Sequence, residues 1–395
     1  MKPPLSKASF HLIALLGLCA GVAHAQSSVT LYGVADDGLS YANNQGGKSS
    51  LQAVSGMPSG NRWGLKGVED LGGGLQTIFT LKNGFDLNSG ALGQGGREFG
   101  RQAFMGLTGK FGTLTFGRQY DLVVDYVQPL AGNGIWGGAY FSHAEDIDNI
   151  NDSFVVDRSI KFASADYAGF RFSGMYSLGG VPGQFAQNRI WSVAAGYDDG
   201  PLHIGGAYLD IDNPETAVMG NQNTATFTNV IYGNYLAAAK SQKMAALGAA
   251  YMIGKVKILG NVSGVVFKGG SGNQYVSFGT AEVGAGWQIT RAALVAPDYG
   301  NVTGKVDATG QHPRYHQFNL LELFAFGADL SVCPGGIPAC DGRRASGTDH
   351  WLYRLQHESA GGTTGWLTAR VLARSGRAAP AKVTRRPAAC RRRRP

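Results

Sequence analysis

The sequence RWGLKGVEDLGGGL, residues 62–75, decides the fold. Its first half alternates with period two, so an extended chain carries Trp63 and Leu65 on one face and Arg62 and Lys66 on the other. The three glycines that follow supply a tight turn. Segments of about ten residues with one apolar and one charged face are typical of strands that lie between lipid and water.

The alternation resumes directly after this turn. Phe79 and Leu81 fall on the apolar face, whereas Thr80 and Lys82 fall on the polar face. Two such strands joined by a short turn predict an antiparallel hairpin.

The composition allows two all-β classes. The chain has 395 residues, of which 60 are Gly, 44% are hydrophobic and 16% are charged. After the N-terminus no run of eighteen apolar residues occurs, which argues against a helical membrane span. A transmembrane β-barrel fits, because its hydropathy per strand is weak, and a large soluble β protein stays the alternative.

The N-terminus predicts export. Lys2 and Lys7 precede an apolar stretch over residues 10–23, and an Ala-x-Ala pattern ends at Ala25. We therefore predict a signal peptide at residues 1–25, cleaved between Ala25 and Gln26. The alternative is an ordinary N-terminal helix.

The net charge of +8 belongs to the C-terminal end. Residues 341–395 contain 13 Lys and Arg against 3 Asp and Glu, whereas the first 340 residues contain 22 against 24. A basic chain often binds nucleic acid, but a slightly acidic body with one basic end does not support that function. We predict no nucleic-acid partner.

Alternating segments recur along the chain, and short and long connections between them alternate. The predicted strands are 100–107, 113–118, 154–162, 169–176, 190–197, 202–209, 245–253, 256–267, 275–288, 290–305 and 314–320. Two connections are long, at Tyr120–Asp152 and Asp210–Lys240.

Three sequence blocks carry a family resemblance. They are QSSVTLYG at residues 26–33, RWGLKGVEDLGGGL at residues 62–75 and FGRQAFMGL at residues 99–107. In this order they resemble the general diffusion porins of Gram-negative bacteria, and most of all those of beta-proteobacteria. The similarity continues with gaps to about Leu321.

The resemblance implies an architecture. We expect an all-β transmembrane antiparallel barrel of about 16 strands over residues 26–321, with a water-filled channel for ions and small hydrophilic solutes. It implies that the third loop, Tyr120–Asp152, folds into the lumen; a solvated surface loop is the alternative. It also implies a homotrimer in the outer membrane, surrounded by lipopolysaccharide and inserted by the barrel assembly machinery.

A pore is selective where charges line its narrowest part. Arg62 and Arg101 match constriction positions of the resembling porins, and Lys82 and Lys66 lie nearby on the same wall. Facing them we expect the carboxylates of the loop, which are Asp121, Asp125, Glu145, Asp146 and Asp148. Solvated lumen residues without a special role are the alternative.

The sequence departs from the family pattern at two places in this site. A third basic position falls at Val155, with Arg158 three residues later at the opposite parity. Lys82 stands where relatives often carry an acid. Because of both departures, the sequence leaves the sign of ion selectivity open.

The porin pattern fails after Leu321. Residues 322–395 become basic, whereas the resembling porins end on an alternating strand that closes in Phe. Because Glu322–Arg343 can be back-translated to strand-like sequence after a one-nucleotide shift, we hypothesise a frameshift near Leu321. Loss of the closing strands would leave backbone groups unpaired in lipid. A genuine basic appendage is the alternative.

The chain shows no enzyme constellation. Its Gly-rich stretches lack the Lys-Ser/Thr of a phosphate loop, and its histidines lack metal-ligand spacing, so we predict no catalytic residue, metal or cofactor. An outer-membrane barrel enzyme, a structural or adhesin barrel, and a porin allele without function stay as alternatives.

Overall fold

A computed structural model describes residues 28–220, 239–269, 274–290, 293–307, 309–325, 351–359 and 362–374. The predicted signal peptide lies outside the described residues, as does most of the second long connection. Among the described residues, no helix has both the length and the apolar character that a membrane crossing requires.

The described residues form seventeen antiparallel strands. They are β1 Ser28–Gln45, β2 Lys48–Ser55, β3 Arg62–Gly72, β4 Leu75–Gly84, β5 Gln102–Gly109, β6 Gly112–Gln119, β7 Val156–Ser164, β8 Phe170–Ser177, β9 Ile190–Asp199, β10 Leu202–Asp212, β11 Ala239–Ile253, β12 Val256–Gly269, β13 Gln274–Thr290, β14 Ala293–Val306, β15 Arg314–Ala325, β16 Trp351–Ser359 and β17 Gly362–Arg374.

These strands close into a ring with sixteen positions. From β3 to β17 each strand pairs with the next, and β17 pairs with β1. On its other side, β1 pairs with β3 through residues 28–34 and with β2 through residues 37–45. Seventeen strands therefore occupy sixteen positions, which confirms the predicted barrel of about 16 strands.

The two faces of the wall differ as the alternation predicts. On β12 and β13, Val262 and Val283 point outward and are 52% and 56% exposed. Their neighbours Ser263 and Glu282 point inward and are buried. An apolar exterior and a polar interior are what a water-filled barrel in lipid requires.

The third loop carries short helical turns in place of strands. They are α2 Leu122–Tyr126, the 3-10 turns Gln128–Leu130, Gly138–Phe141 and Ala144–Asp146, and the π-turn Asn133–Gly137. Outside this loop lie the single irregular turn α1 Gly93–Gly96 and the π-turn Glu215–Gly220.

The C-terminal end differs from the sequence-based expectation. The strand expected to fail after Leu321 continues to Ala325 and pairs with β14, and the backbones of β16 and β17 complete the ring. Ladder bonds join backbone groups, so a chain segment can pair without the apolar alternation that the sequence pattern detects. The frameshift hypothesis concerns the gene and stays a prediction.

The assignment of faces predicts the effect of a charge placed in the lipid belt. Val262→Arg, at the middle of β12, should lower the free energy of unfolding by about 2–4 kcal/mol. Ser277→Arg, outward on β13 but close to the strand end, should cost at most about 1 kcal/mol. Urea unfolding in lipid vesicles, followed by tryptophan fluorescence, measures both. Equal costs would contradict the assigned membrane belt.

Candidate functional site

The third loop enters the lumen and lies along the inner wall. The Tyr126 hydroxyl is 2.7 Å from the Ser173 hydroxyl of β8. A Cβ at Gly196 of β9 would lie 3.1 Å from the Tyr126 ring, and one at Gly205 of β10 only 2.4 Å from its carbonyl oxygen. These two glycines let the loop backbone approach the wall, which confirms the predicted inward fold.

An apolar core fixes this part of the loop. Leu122, Val127 and Ile147 are fully buried and pack in one cluster with inward side chains of the wall. The wall contributes Met175, Ile190, Leu209, Ile211, Met244, Val265, Phe267, Phe278 and Val302. Burial of so many apolar groups makes the loop part of the barrel interior and not a solvated surface segment.

The far end of the loop reaches the opposite side of the ring. Trp136 is buried and lies flat against β13, where Cβ atoms at Gly284 and Gly286 would come within 2.6 and 2.7 Å of its ring. The Ala139 amide donates to the Met57 carbonyl at 2.9 Å, in the segment between β2 and β3. The loop therefore runs along the inner wall from β8 to β15 and contacts the segment that precedes β3.

Asp121 begins the first helix of the loop. It is fully buried, and its carboxylate accepts hydrogen bonds from the Val123 and Val124 amides at 2.7 and 3.3 Å and from Asn149 at 2.6 Å. Burial raises the pKa of this carboxyl to about 6. Its role is to cap the helix and join the two ends of the loop.

Asp146 holds the returning arm of the loop. Its carboxylate accepts from the Asn151 amide at 2.8 Å and from the Ser153 amide at 3.1 Å. Burial, followed by the charge of Asp148, raises the pKa of Asp146 to about 7.

Asp148 joins the loop to the wall. Its carboxylate lies 2.7 Å from His143 Nδ1 and accepts from Thr280 of β13 at 3.0 Å and from Ser263 of β12. His143 Nε2 lies 3.4 Å from the carboxylate of Glu282 on β13. All of these side chains are buried.

The structure places part of the predicted acidic row in the interior of the loop. Asp121, Asp146 and Asp148 are at most 5% exposed and bind the loop and the wall, and their role at the constriction stays a prediction. A sequence reading cannot separate carboxylates that bind their own loop from those that bind solvent. Asp125 and Glu145 are exposed, and their role in the pore stays a prediction.

The four predicted basic residues lie on the wall opposite the loop, on or beside β3, β4 and β5. Arg62 donates to the Ser59 and Gly60 carbonyls at 2.8 and 2.9 Å. The Lys82 ammonium lies 3.1 Å from the Tyr120 hydroxyl and 4.9 Å from the centre of its ring.

Arg101 and Lys66 complete this basic group. Arg101 lies 3.6 Å from the Asp152 carboxylate at the end of the loop. Lys66 is exposed, with its ammonium 5.7 Å from the centre of the Tyr32 ring. Arg62, Lys82 and Arg101 lie close together, since the charges of Arg62 and Arg101 both act on the Lys82 ammonium. Lys66 extends this basic row along β3.

Asp152 and Tyr120 are site residues that the sequence reasoning missed, although both ends of the loop were named. Burial raises the pKa of the Asp152 carboxyl, and the charges of Arg101 and Lys82 oppose this rise. Burial also raises the pKa of the Tyr120 hydroxyl. Tyr120 lies where the loop leaves the wall and Asp152 lies where it rejoins the wall. The predicted limits of the loop, residues 120 and 152, had indicated both positions.

Further cations were missed on the same wall. Arg118 and Arg97 share the Asp157 carboxylate at 2.5 and 3.3 Å, and Lys161 lies 2.7 Å from Asp125. A register shift between Gly117 and Gln119 turns Arg118 inward, and simple alternation does not predict such a bulge.

The third basic position of the family pattern is not basic here. Val155 is buried, as the loop returns to β7. Arg158 has a left-handed backbone with φ of 51°, and its guanidinium lies beside Gly180. Arg118 and Lys161 supply the additional cations on this wall.

The arrangement of these residues is that of a passage with a charged wall and not that of a catalytic site. The loop packs on β8 to β15, while the exposed Lys66 and the half-buried Arg62 and Lys82 show that water reaches the other wall. Within the part of the chain that the structure describes, no three His, Cys, Asp or Glu side chains are arranged to hold a metal.

The slot for Trp136 gives a test of the loop position. Gly286→Val should press against the indole and lower the free energy of unfolding by about 1–3 kcal/mol, because an overpacked interior must shift. Gly264→Val, on the outer face of β12 with no atom within 4 Å, should leave stability unchanged or slightly raised. Guanidinium unfolding of both variants in detergent measures the difference. Equal stabilities would show that Trp136 does not occupy this slot.

Comparison with known proteins yields a family and matching folds. A family model described as Gram-negative porin matches residues 12–321. An outer membrane porin protein of Bordetella pertussis is 31% identical over 253 residues, which cover 56% of this chain and 64% of that relative. The alignment therefore spans a little less than two thirds of the relative's length.

Two solved structures share the fold. The anion-selective porin from Comamonas acidovorans matches with a TM-score of 0.65 and 18% identity, covering 88% of this chain and all of that chain. The trimer form of OmpT, an outer membrane protein of Vibrio cholerae, matches with a TM-score of 0.62 and 13% identity, covering 88% and 99%.

The family match extends over well more than half of the chain, and the blocks that carried the resemblance lie within it. Porins are outer-membrane channel proteins and not enzymes, so the predicted location and the predicted lack of enzymatic activity are confirmed. This chain belongs to the Gram-negative porin family.

Proposed function

We propose that this protein forms a water-filled channel through which ions and small hydrophilic solutes diffuse passively. One observation carries the proposal. The third loop is packed against one side of the lumen, and inward side chains on the other side, such as Lys66, keep contact with solvent. A narrowed but open passage lets small solutes pass and excludes large ones.

We propose that the narrow part is formed by Arg62, Lys66, Lys82 and Arg101 on the wall, with Asp125 and Glu145 as the exposed carboxylates of the loop. Neither Lys66 nor Lys82 forms an ion pair among the described residues, whereas Asp125 and Asp152 each pair with a cation. The exposed Lys66 ammonium therefore adds a positive charge to the passage that has no ion-pair partner among the described residues. Such a wall raises the local concentration of anions, so the channel prefers anions.

Lys66 tests this charge preference, since it is exposed and its ammonium lies 5.7 Å from the centre of the Tyr32 ring, without an ion pair among the described residues. Lys66→Glu should lower the ratio of anion to cation permeability by roughly twofold or more, because two units of charge change in the passage. Lys255→Glu, in the short turn between β11 and β12, changes the same charge away from the passage. Zero-current potentials in planar bilayers with a salt gradient measure both.

The outcomes separate the candidate functions. Ohmic conductance with a shift in Lys66→Glu alone supports the channel and its charged wall. Equal shifts in both variants would contradict the assigned passage. Folded protein without conductance would overturn the channel and favour a structural or adhesin barrel with a closed lumen.

We propose that the protein assembles as a homotrimer, with lipopolysaccharide around it and insertion by the barrel assembly machinery. The trimer form of a protein with the same fold supports the first part, and family membership supports the rest. Sedimentation in detergent that matches three chains per particle tests the oligomeric state.

We propose the limits predicted from the sequence for a signal peptide at 1–25, a porin body at 26–321 and a C-terminal segment of aberrant sequence at 322–395, whose strands β16 and β17 close the ring. The family match ends at residue 321, at the predicted limit of the body. Sequencing the gene across this point tests the frameshift: an uninterrupted frame in independent reads would contradict it. Gln26 as the first residue of the mature protein tests the cleavage site.

A further inference from the structure

We propose that His143 is a positioning residue of the channel: its imidazolium bridges Asp148 of the loop and Glu282 of β13, and this charged latch holds the loop against the wall. The inference rests on the proposed channel function, because the latch keeps the loop out of the passage. According to this proposal, a histidine of the loop controls the pore size and makes the conductance depend on pH.

The geometry of the bridge is that of a buried ion pair with two acceptors. His143 Nδ1 is 2.7 Å from Asp148, and Nε2 is 3.4 Å from Glu282. The side chains of His143, Asp148 and Glu282 are each at most 2% exposed. Nδ1 forms a hydrogen bond with Asp148, whereas Nε2 lies at ion-pair distance from Glu282 and forms no hydrogen bond among the described residues. The doubly protonated ring is therefore the form whose charge stabilises both carboxylates.

Hydrogen bonds from the wall and the loop hold the two carboxylates in place beside the imidazolium. Glu282 also accepts from the Gly132 amide of the loop at 2.8 Å and from Asn261 of β12. Asp148 accepts from Ser263 and Thr280. The carboxylates of loop and wall are thus fixed on either side of one ring, and the loop is held at two points, Gly132 and His143.

Other ionisable groups surround the latch. Asp146 of the loop acts on the ring by its charge, and Asp298 of β14 lies beside Glu282 and is held by Asn319 of β15 at 2.9 Å. Tyr315 of β15 lines a small cavity next to the ring. Carboxyl groups predominate, so loss of the imidazolium charge would leave buried carboxylates facing one another without a cation.

The loop groups titrate accordingly. Burial alone would lower the pKa of His143, but Asp148 and Glu282 outweigh burial and raise it well above its usual range. Burial alone would raise the pKa of Asp148, but His143 and the two hydroxyl donors lower it. The latch is therefore charged on both sides near neutral pH.

The sign of the pH dependence follows. A histidine with a raised pKa stabilises the latched state at low and neutral pH, and this stabilisation is lost as pH rises through the folded pKa. A carboxyl with a lowered pKa stabilises the latched state at neutral pH, and this stabilisation is lost as pH falls. The loop should thus stay latched near neutral pH and detach into the passage in alkali and in strong acid.

The first test is single-channel recording of the full-length protein over a pH series. The wild type should hold one steady conductance from about pH 6 to about pH 8 and show closures, with a mean conductance lower by roughly twofold, above that range. His143→Gln should show the same closures at neutral pH and lose the alkaline transition. His203→Gln is the matched control, since His203 also lies 2.6 Å from an aspartate, Asp198, but is 41% exposed outside the loop.

The outcomes distinguish the latch from the channel itself. Steady conductance in His143→Gln, with the wild-type pH profile, would overturn the latch and leave the channel proposal intact. The same alkaline closures in every variant would assign them to lysine titration and also overturn the latch. Folded protein without any conductance overturns the proposed function.

A second measurement keeps the latch testable without conductance. In wild-type protein with ¹³C-labelled histidine, the His143 ring signal is the one that disappears in His143→Gln. This signal should stay in its protonated position beyond about pH 8. A midpoint near the ordinary value of about 6.5 would overturn the charged bridge, whether or not the protein conducts.

Discussion

The structure depends on one constraint: in lipid, every backbone amide and carbonyl must find a partner within the protein. A sheet meets this requirement only when its first and last strands pair, and here β1 pairs with β17 on one side and with β2 and β3 on the other. Sixteen strand positions enclose a lumen wider than side chains alone can fill. The interior therefore has room for a loop.

That loop explains most of the charged residues in the lumen. One group of carboxylates, Asp121, Asp146 and Asp148, binds loop amides, the histidine and wall hydroxyls, so it holds the loop in shape and against the wall. The basic group on the opposite wall stays near water. Burial decides which charges stabilise the loop and which act on passing ions, since a buried charge needs fixed partners whereas an exposed one acts on the solution.

Period-two alternation predicted the strands and their two faces, because it is a local signal, whereas the closed barrel of about 16 strands and the inward loop were expected from the family resemblance. The alternation of Trp63 and Leu65 with Arg62 and Lys66 survives unchanged in β3. It could not predict the buried role of Asp148, which depends on Thr280, more than a hundred residues away. It also missed Arg118, because a bulge changes which residue faces inward. Closure through residues 351–374 was missed because backbone pairing leaves no side-chain pattern.

The central claim is that the third loop narrows an otherwise open barrel. The most direct test is the conductance of a variant in which residues 122–151 are replaced by a short Gly-Ser linker, compared with wild type in the same bilayer. Heat-dependent gel mobility first establishes that the variant is folded. The account predicts a conductance larger by roughly twofold or more and passage of larger neutral sugars. An unchanged conductance and an unchanged size limit, in a folded variant, would contradict it.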